Sequence, residues 1–131
     1  MAKKQIHEKA NHAEENGRGW YKEILRMNAD FKKAEESDNE EERERVTTEI
    51  EESPLEVAVD KGERFDGTRH YMILLSTGGP ALRIEGELDE YDEPMHAYLQ
   101  YQDWGTPWTR VPDVNEDELL DFSRHFYFAQ E

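Results

Sequence analysis

Apolar residues recur at Trp20, Ile24, Met27, Phe31 and Ala34, in steps of three and four that place them on one face of a helix ending near Glu36. Upstream, residues 4–16 are polar and helix-permissive, with only Ile6, Ala10 and Ala13 at helical spacing. Gly17-Arg18-Gly19 predicts an interruption there, because an interior glycine costs about 1 kcal/mol relative to alanine. Asp38 and Glu41 have the spacing of a capping box and predict a second helix over 40–52, ended by Ser53-Pro54. Its apolar stripe is thin, Val46 and Ile50, so it packs one narrow edge against the first helix as an αα-hairpin.

Beyond Pro54 the period changes to two. Leu55, Val57 and Val59 alternate with Glu56, Ala58 and Asp60, the pattern of an edge strand with one buried face. Residues 61–69 read as a polar loop. The nearly continuous apolar run His70–Ser76 predicts a central strand covered on both faces. Thr77-Gly78-Gly79-Pro80 reads as a turn. Next, Leu82, Ile84, Gly86 and Leu88 alternate with Arg83, Glu85 and Glu87, and Asp89–Pro94 forms a second turn. Met95, Ala97, Leu99 and Tyr101 then alternate with His96, Tyr98, Gln100 and Gln102. Short turns between consecutive strands predict an antiparallel meander of three to four strands. A last helix is expected over 116–128, with Asn115 at the N-cap and Val114 stapled to Leu119. The fold class is α+β: an N-terminal helical hairpin (1–53), then a meander and a C-terminal helix packed on it (54–131), in one structural domain.

A chain of 131 residues is long enough for one core and short for two. Its formal charge of −16 is unevenly spread. Residues 1–34 hold eight basic and five acidic side chains, residues 35–66 four and fourteen, and residues 85–131 two and thirteen. Such a field repels nucleic acid and anionic membrane and attracts basic surfaces, so neither direct nucleic-acid binding nor membrane binding is expected. With no cysteine, disulfides and thiolate chemistry are excluded. No apolar run approaches the roughly 20 residues of a membrane span, and no apolar stretch follows the basic start, which predicts a cytoplasmic protein. The first 36 residues bury little by themselves and are suited to ordering on a partner or on a second copy, which leaves a homodimer open.

The segments LLSTGGPALRIEGELDEYDEP and YLQYQDWGTPWT, followed by a short helix closing in HFYF, resemble an uncharacterised family of small proteins carried by phages, plasmids and integrative elements. The likeness covers roughly residues 53–128. It implies a bacterial host cell and a genomic setting in which small accessory proteins often antagonise host defence. It implies no activity, cofactor or catalytic residue.

Three constellations stand out. Glu40, Glu41, Glu42, Glu44 and Glu49 on the second helix, with Glu85, Glu87, Asp89, Glu90, Asp92 and Glu93 on the sheet rim, could imitate duplex phosphates and occupy a basic groove. The plainer reading is that they are solvated faces that keep a small protein soluble. The aromatic segment Tyr98, Tyr101, Trp104 and Trp108, with Phe126 and Tyr127, is either a binding hot spot or core covering the end of the sheet, and the second is the commoner use. Gln102-Asp103 would then serve an indole or a turn amide. If the strand register holds, His70, Glu87 and His96 lie side by side across three strands, where they form cross-strand pairs or, less commonly, a zinc site. Gly78-Gly79 lacks the spacing of a phosphate loop. The expected function is a non-enzymatic acidic binder, free of metal and cofactor. It antagonises CRISPR or restriction machinery by occupying the basic groove of a nucleic-acid-handling protein. The alternative is an interaction module for mobile-element maintenance or transfer that uses the Trp104–Trp108 surface.

Overall fold

The structure, a computed structural model, describes residues 2–60, 68–77 and 79–128, with the main chain alone for residues 2–11. Residues 61–67 of the polar loop expected at 61–69, and Gly78 of the turn expected at Thr77-Gly78-Gly79-Pro80, lie outside the described residues. Helix α1 (Ala2–Glu36) turns back into α2 (Glu40–Glu52). Strands β1 (Glu56–Val59), β2 (His70–Ser76), β3 (Ala81–Glu87), β4 (Tyr98–Gln102) and β5 (Thr109–Arg110) follow, then α3 (Glu116–Ser123). The strands form one antiparallel sheet in sequence order, the expected meander with one more strand than three to four.

The interruption expected at Gly17-Arg18-Gly19 does not occur, and α1 runs through it. A Cβ on Gly17 would lie 2.6 Å from Val111 Cγ2, so the missing side chain lets the helix press against the sheet. Contact with the sheet offsets the intrinsic helical penalty of glycine. Ala13, Ile24, Met27 and Ala34 are buried along the same helix, and Trp20 and Phe31 pack at the margin of the core. Asn39, not Asp38, caps α2, and its side chain accepts from the Glu42 N–H at 3.2 Å. As expected, α2 buries only Val46 and Ile50.

Alternation divides the sheet into two faces. Tyr71, Ile73 and Leu75 on β2, Leu82 and Ile84 on β3 and Leu99 on β4 point into a single core shared with α1, α2 and α3. The opposite face has no described element on it. Strand β2 is therefore covered on one face, not on both, and Met72 and Leu74 lie half-buried on the open side. At the edge, Val59 packs on the core, while Leu55 is 62% and Val57 37% exposed, because the helices do not reach that far. Between β3 and β4, Asp89 Oδ1 accepts from the N–H groups of Tyr91 and Glu93, closing the turn. The main chain then crosses directly over Gly86, where a Cβ would sit 1.9 Å from the His96 carbonyl oxygen. That carbonyl accepts the Tyr71 hydroxyl at 2.7 Å.

Helix α3 is shorter than the expected 116–128. It ends at Ser123, and the turns that follow bring Phe128 onto Tyr71 with ring centroids 4.7 Å apart. Asn115 caps it by accepting from the Asp117 N–H at 2.9 Å. Buried Asn28 ties α3 to α1, its amide donating to the Glu118 carbonyl and to Glu118 Oε2, both at 2.8 Å. Among the described residues, no helix is long and apolar enough to cross a membrane.

Candidate functional site

With two residues committed to the core, α2 leaves its glutamates on the outside. Two of them are ion-paired: Glu42 with Arg45, and Glu49 with Arg26 at 3.1 Å. Arg26 also meets Glu23 and Asp30, so it stitches α1 to α2. The hydrogen bonds it donates, first to Glu49 and then to Glu23, hold its guanidinium above the ordinary range. Glu40, Glu41, Glu44, Glu51 and Glu52 are exposed and carry no ion pair among the described residues. The first turns of α2 and α3 are each three acids long, a placement the positive end of a helix favours.

Negative charge continues from α2 onto the neighbouring helices. Glu51 of α2, Glu35 of α1 and Asp121 of α3 all act on His125, which packs edge-on against Phe31 with centroids 4.5 Å apart. Burial lowers the His125 pKa, and the three carboxylates oppose that shift without reversing it. A groove of about 410 Å³ opens here between α1 and α3. Carboxylates from three helices thus approach His125, and the groove is lined by Lys32 and Arg124 as well as by Glu35 and Asp121.

The acids of the sheet and its turn are not part of that surface. Glu85 points to the open face and pairs with His70, while Asp92 pairs with Arg69 across the base of the turn. Asp89 is consumed by turn amides, and Glu90 and Glu93 are exposed at the tip. Glu87 lies on the open face with Glu85, since both alternate with core-facing Ile84 and Gly86. The structure brings Glu51 of α2 near Glu35 of α1 and Asp121 of α3 and sets the β3 acids on the open face of the sheet.

The aromatic residues separate similarly. Tyr101 packs against the core and Phe126 partly so, whereas Tyr127 is 79% exposed. Of the two readings of the tryptophans, core does not describe Trp104, which is 81% exposed, while Trp108 is half-buried on the open side. Both belong to the β4–β5 hairpin, where no described element covers them. Asp103 does serve the turn: its Oδ1 accepts from the Trp104 N–H at 2.9 Å, and Gly105 adopts φ 74° beside it. Arg83 lies over the Trp108 ring at 4.0 Å and Arg110 over Tyr98 at 3.8 Å. Sequence reasoning missed these two arginines. Arg83 was visible as a polar position on β3, but only the two-residue strand β5 brings Arg110 alongside it.

The register of His70, Glu87 and His96 matches the expectation in the main chain. His70 is opposite Glu87, whose carbonyl accepts from the N–H groups of Met95 at 2.8 Å and His96 at 3.4 Å. The side chains do not converge. His70 turns to Glu85, and His96 lies 3.6 Å from Glu116 Oε2 and stacks on Tyr98. No cluster of three His, Asp or Glu side chains with metal-binding geometry occurs among the described residues.

Compared with protein families, with curated proteins and with solved structures, the chain matches none.

Proposed function

We propose that this chain is a non-enzymatic acidic binding protein of a mobile genetic element. Its helical face occupies the basic nucleic-acid groove of a host defence protein of the CRISPR or restriction class. The mobile-element setting rests on the motif resemblance over 53–128. The observation that carries the binding mode is the set of exposed α2 carboxylates Glu40, Glu41 and Glu44, without an ion pair among the described residues, on a helix fixed by Val46 and Ile50 to a single core. Rigid placement matters because a cationic groove selects a fixed pattern of negative charge at low ordering cost.

The test compares capture of a purified defence nuclease or effector by the intact chain and by a Glu40→Gln/Glu41→Gln/Glu44→Gln variant. These side chains are solvated, so the fold is expected to survive. Binding should weaken at least tenfold in the variant, and should weaken in the intact chain as salt rises from ~0.05 to ~0.5 M. Equal capture by both proteins would end the proposal. A second reading is favoured by one observation, the exposure of Trp104 at a hairpin tip, which suits a protein–protein hot spot. Under that reading Trp104→Ala abolishes capture, the glutamine variant retains it, and salt has little effect.

A further inference from the structure

We propose that the open face of the sheet is the contact surface of a homodimer, two copies packing face to face about a twofold axis that runs across the strands. The observations lie in the register. Leu74, Arg83 and Gln100 form one cross-strand row, and Met72, Glu85 and Tyr98 form the next, on the face opposite Ile73, Ile84 and Leu99. A twofold axis between these rows lays each row on the other row of the second copy. Arg83 then faces the partner's Glu85, and Glu85 faces the partner's Arg83. Leu74 meets the partner's Met72, and the reverse. An isologous interface requires this self-complementarity, and antiparallel sheets with one apolar stripe pack in this way about 10 Å apart.

Three further features favour a second copy as the occupant. Arg83 has no carboxylate partner among the described residues, although the chain holds 32 acids. Its Nε donates to Gln100 at 2.8 Å and its guanidinium rests on the Trp108 ring at 4.0 Å. Burial lowers its pKa, and Glu85 two positions along the same strand opposes that shift without reversing it. Met72 and Leu74 also account for the apolar pattern of β2 on both faces, which its own helices leave half used. A second copy offers both the apolar pair and the missing carboxylate at the required spacing.

Two chains of charge −16 repel at long range, so the measurement belongs at ~0.5 M salt, where the Debye length is short. Sedimentation equilibrium should give a mass that rises with concentration from 15.5 kDa toward twice that value. Arg83→Glu and Glu85→Arg should each remain monomeric, because each sets like charges face to face. Mixed together they should pair, and the double variant should dimerise as the native chain does. A monomer persisting to ~1 mM would overturn the proposal. Dimerisation unaffected by both single swaps, or a mixture that fails to pair, would overturn it equally. Should either swap unfold the chain, Met72→Lys on the same face is the substitute, and retention of the dimer would count against the interface.

Discussion

The two faces of the sheet are made by alternate residues of the same strands, yet they do different work. On the covered face Ile73, Ile84 and Leu99 are fully buried against three helices, and the His96 carbonyl fills the space a side chain at Gly86 would need. On the open face their immediate neighbours Leu74, Glu85 and Tyr98 are half-buried, Glu85 paired with His70 and Tyr98 flanked by His96 and Arg110. One strand therefore carries stability on its odd-numbered positions and contact chemistry on its even-numbered ones, or the reverse, and mutations one residue apart should report on different properties.

The sharpest break in that contrast is Ile84→Ala. Deleting a fully buried aliphatic side chain is expected to cost about 2–5 kcal/mol in denaturant unfolding, whereas Leu74→Ala across the sheet should cost well under half as much. A cost for Leu74→Ala as large as that of Ile84→Ala would mean that the open face is already covered in the single chain. Next in size is Gly86→Ala. The new methyl meets main chain, not a movable side chain, and overpacking of that kind costs about 1–3 kcal/mol.

Smaller effects sharpen the picture at the helical end. His125 is held neutral by burial, so its folded pKa lies below its ordinary 6.5. The unfolded chain then binds more protons, and the stability this residue contributes is full above pH 6.5 and lost as pH falls below it. The melting temperature of the native chain should decline relative to that of His125→Gln as pH is lowered toward 5, a difference that removes the general effect of neutralising 32 carboxylates. Smallest of all, Trp104→Ala should leave stability within about 0.5 kcal/mol, because the indole touches almost nothing in the single chain.

Where local pattern and tertiary packing agreed, the fold could be read in advance. The alternation at Leu82, Ile84 and Leu88 and the pair Val46 and Ile50 marked buried positions correctly. It failed where a distant contact decided the outcome. Gly17 reads as a helix breaker until Val111 is beside it, and His70–Ser76 reads as covered on both sides because periodicity cannot say what lies on the far face. Trp104 and Trp108 read as core by residue type, but the hairpin that bears them projects past the helices. The acids of α2 were visible as a run. The approach of Glu51 to Glu35 and Asp121, and the separation of these acids from Glu85 and Glu87, depend on how helices and strands stack, which no linear spacing encodes.

Gly17 makes the continuity of α1 depend on a contact distant in sequence. The residue is locally the weakest point of the helix, and the atoms that favour it there, on Val111, arrive 94 positions downstream. Without that contact the glycines leave this the point at which the helix is least favoured. An excised 12–36 peptide should show fast amide exchange around Gly17–Gly19, and the intact protein slow exchange at the same sites.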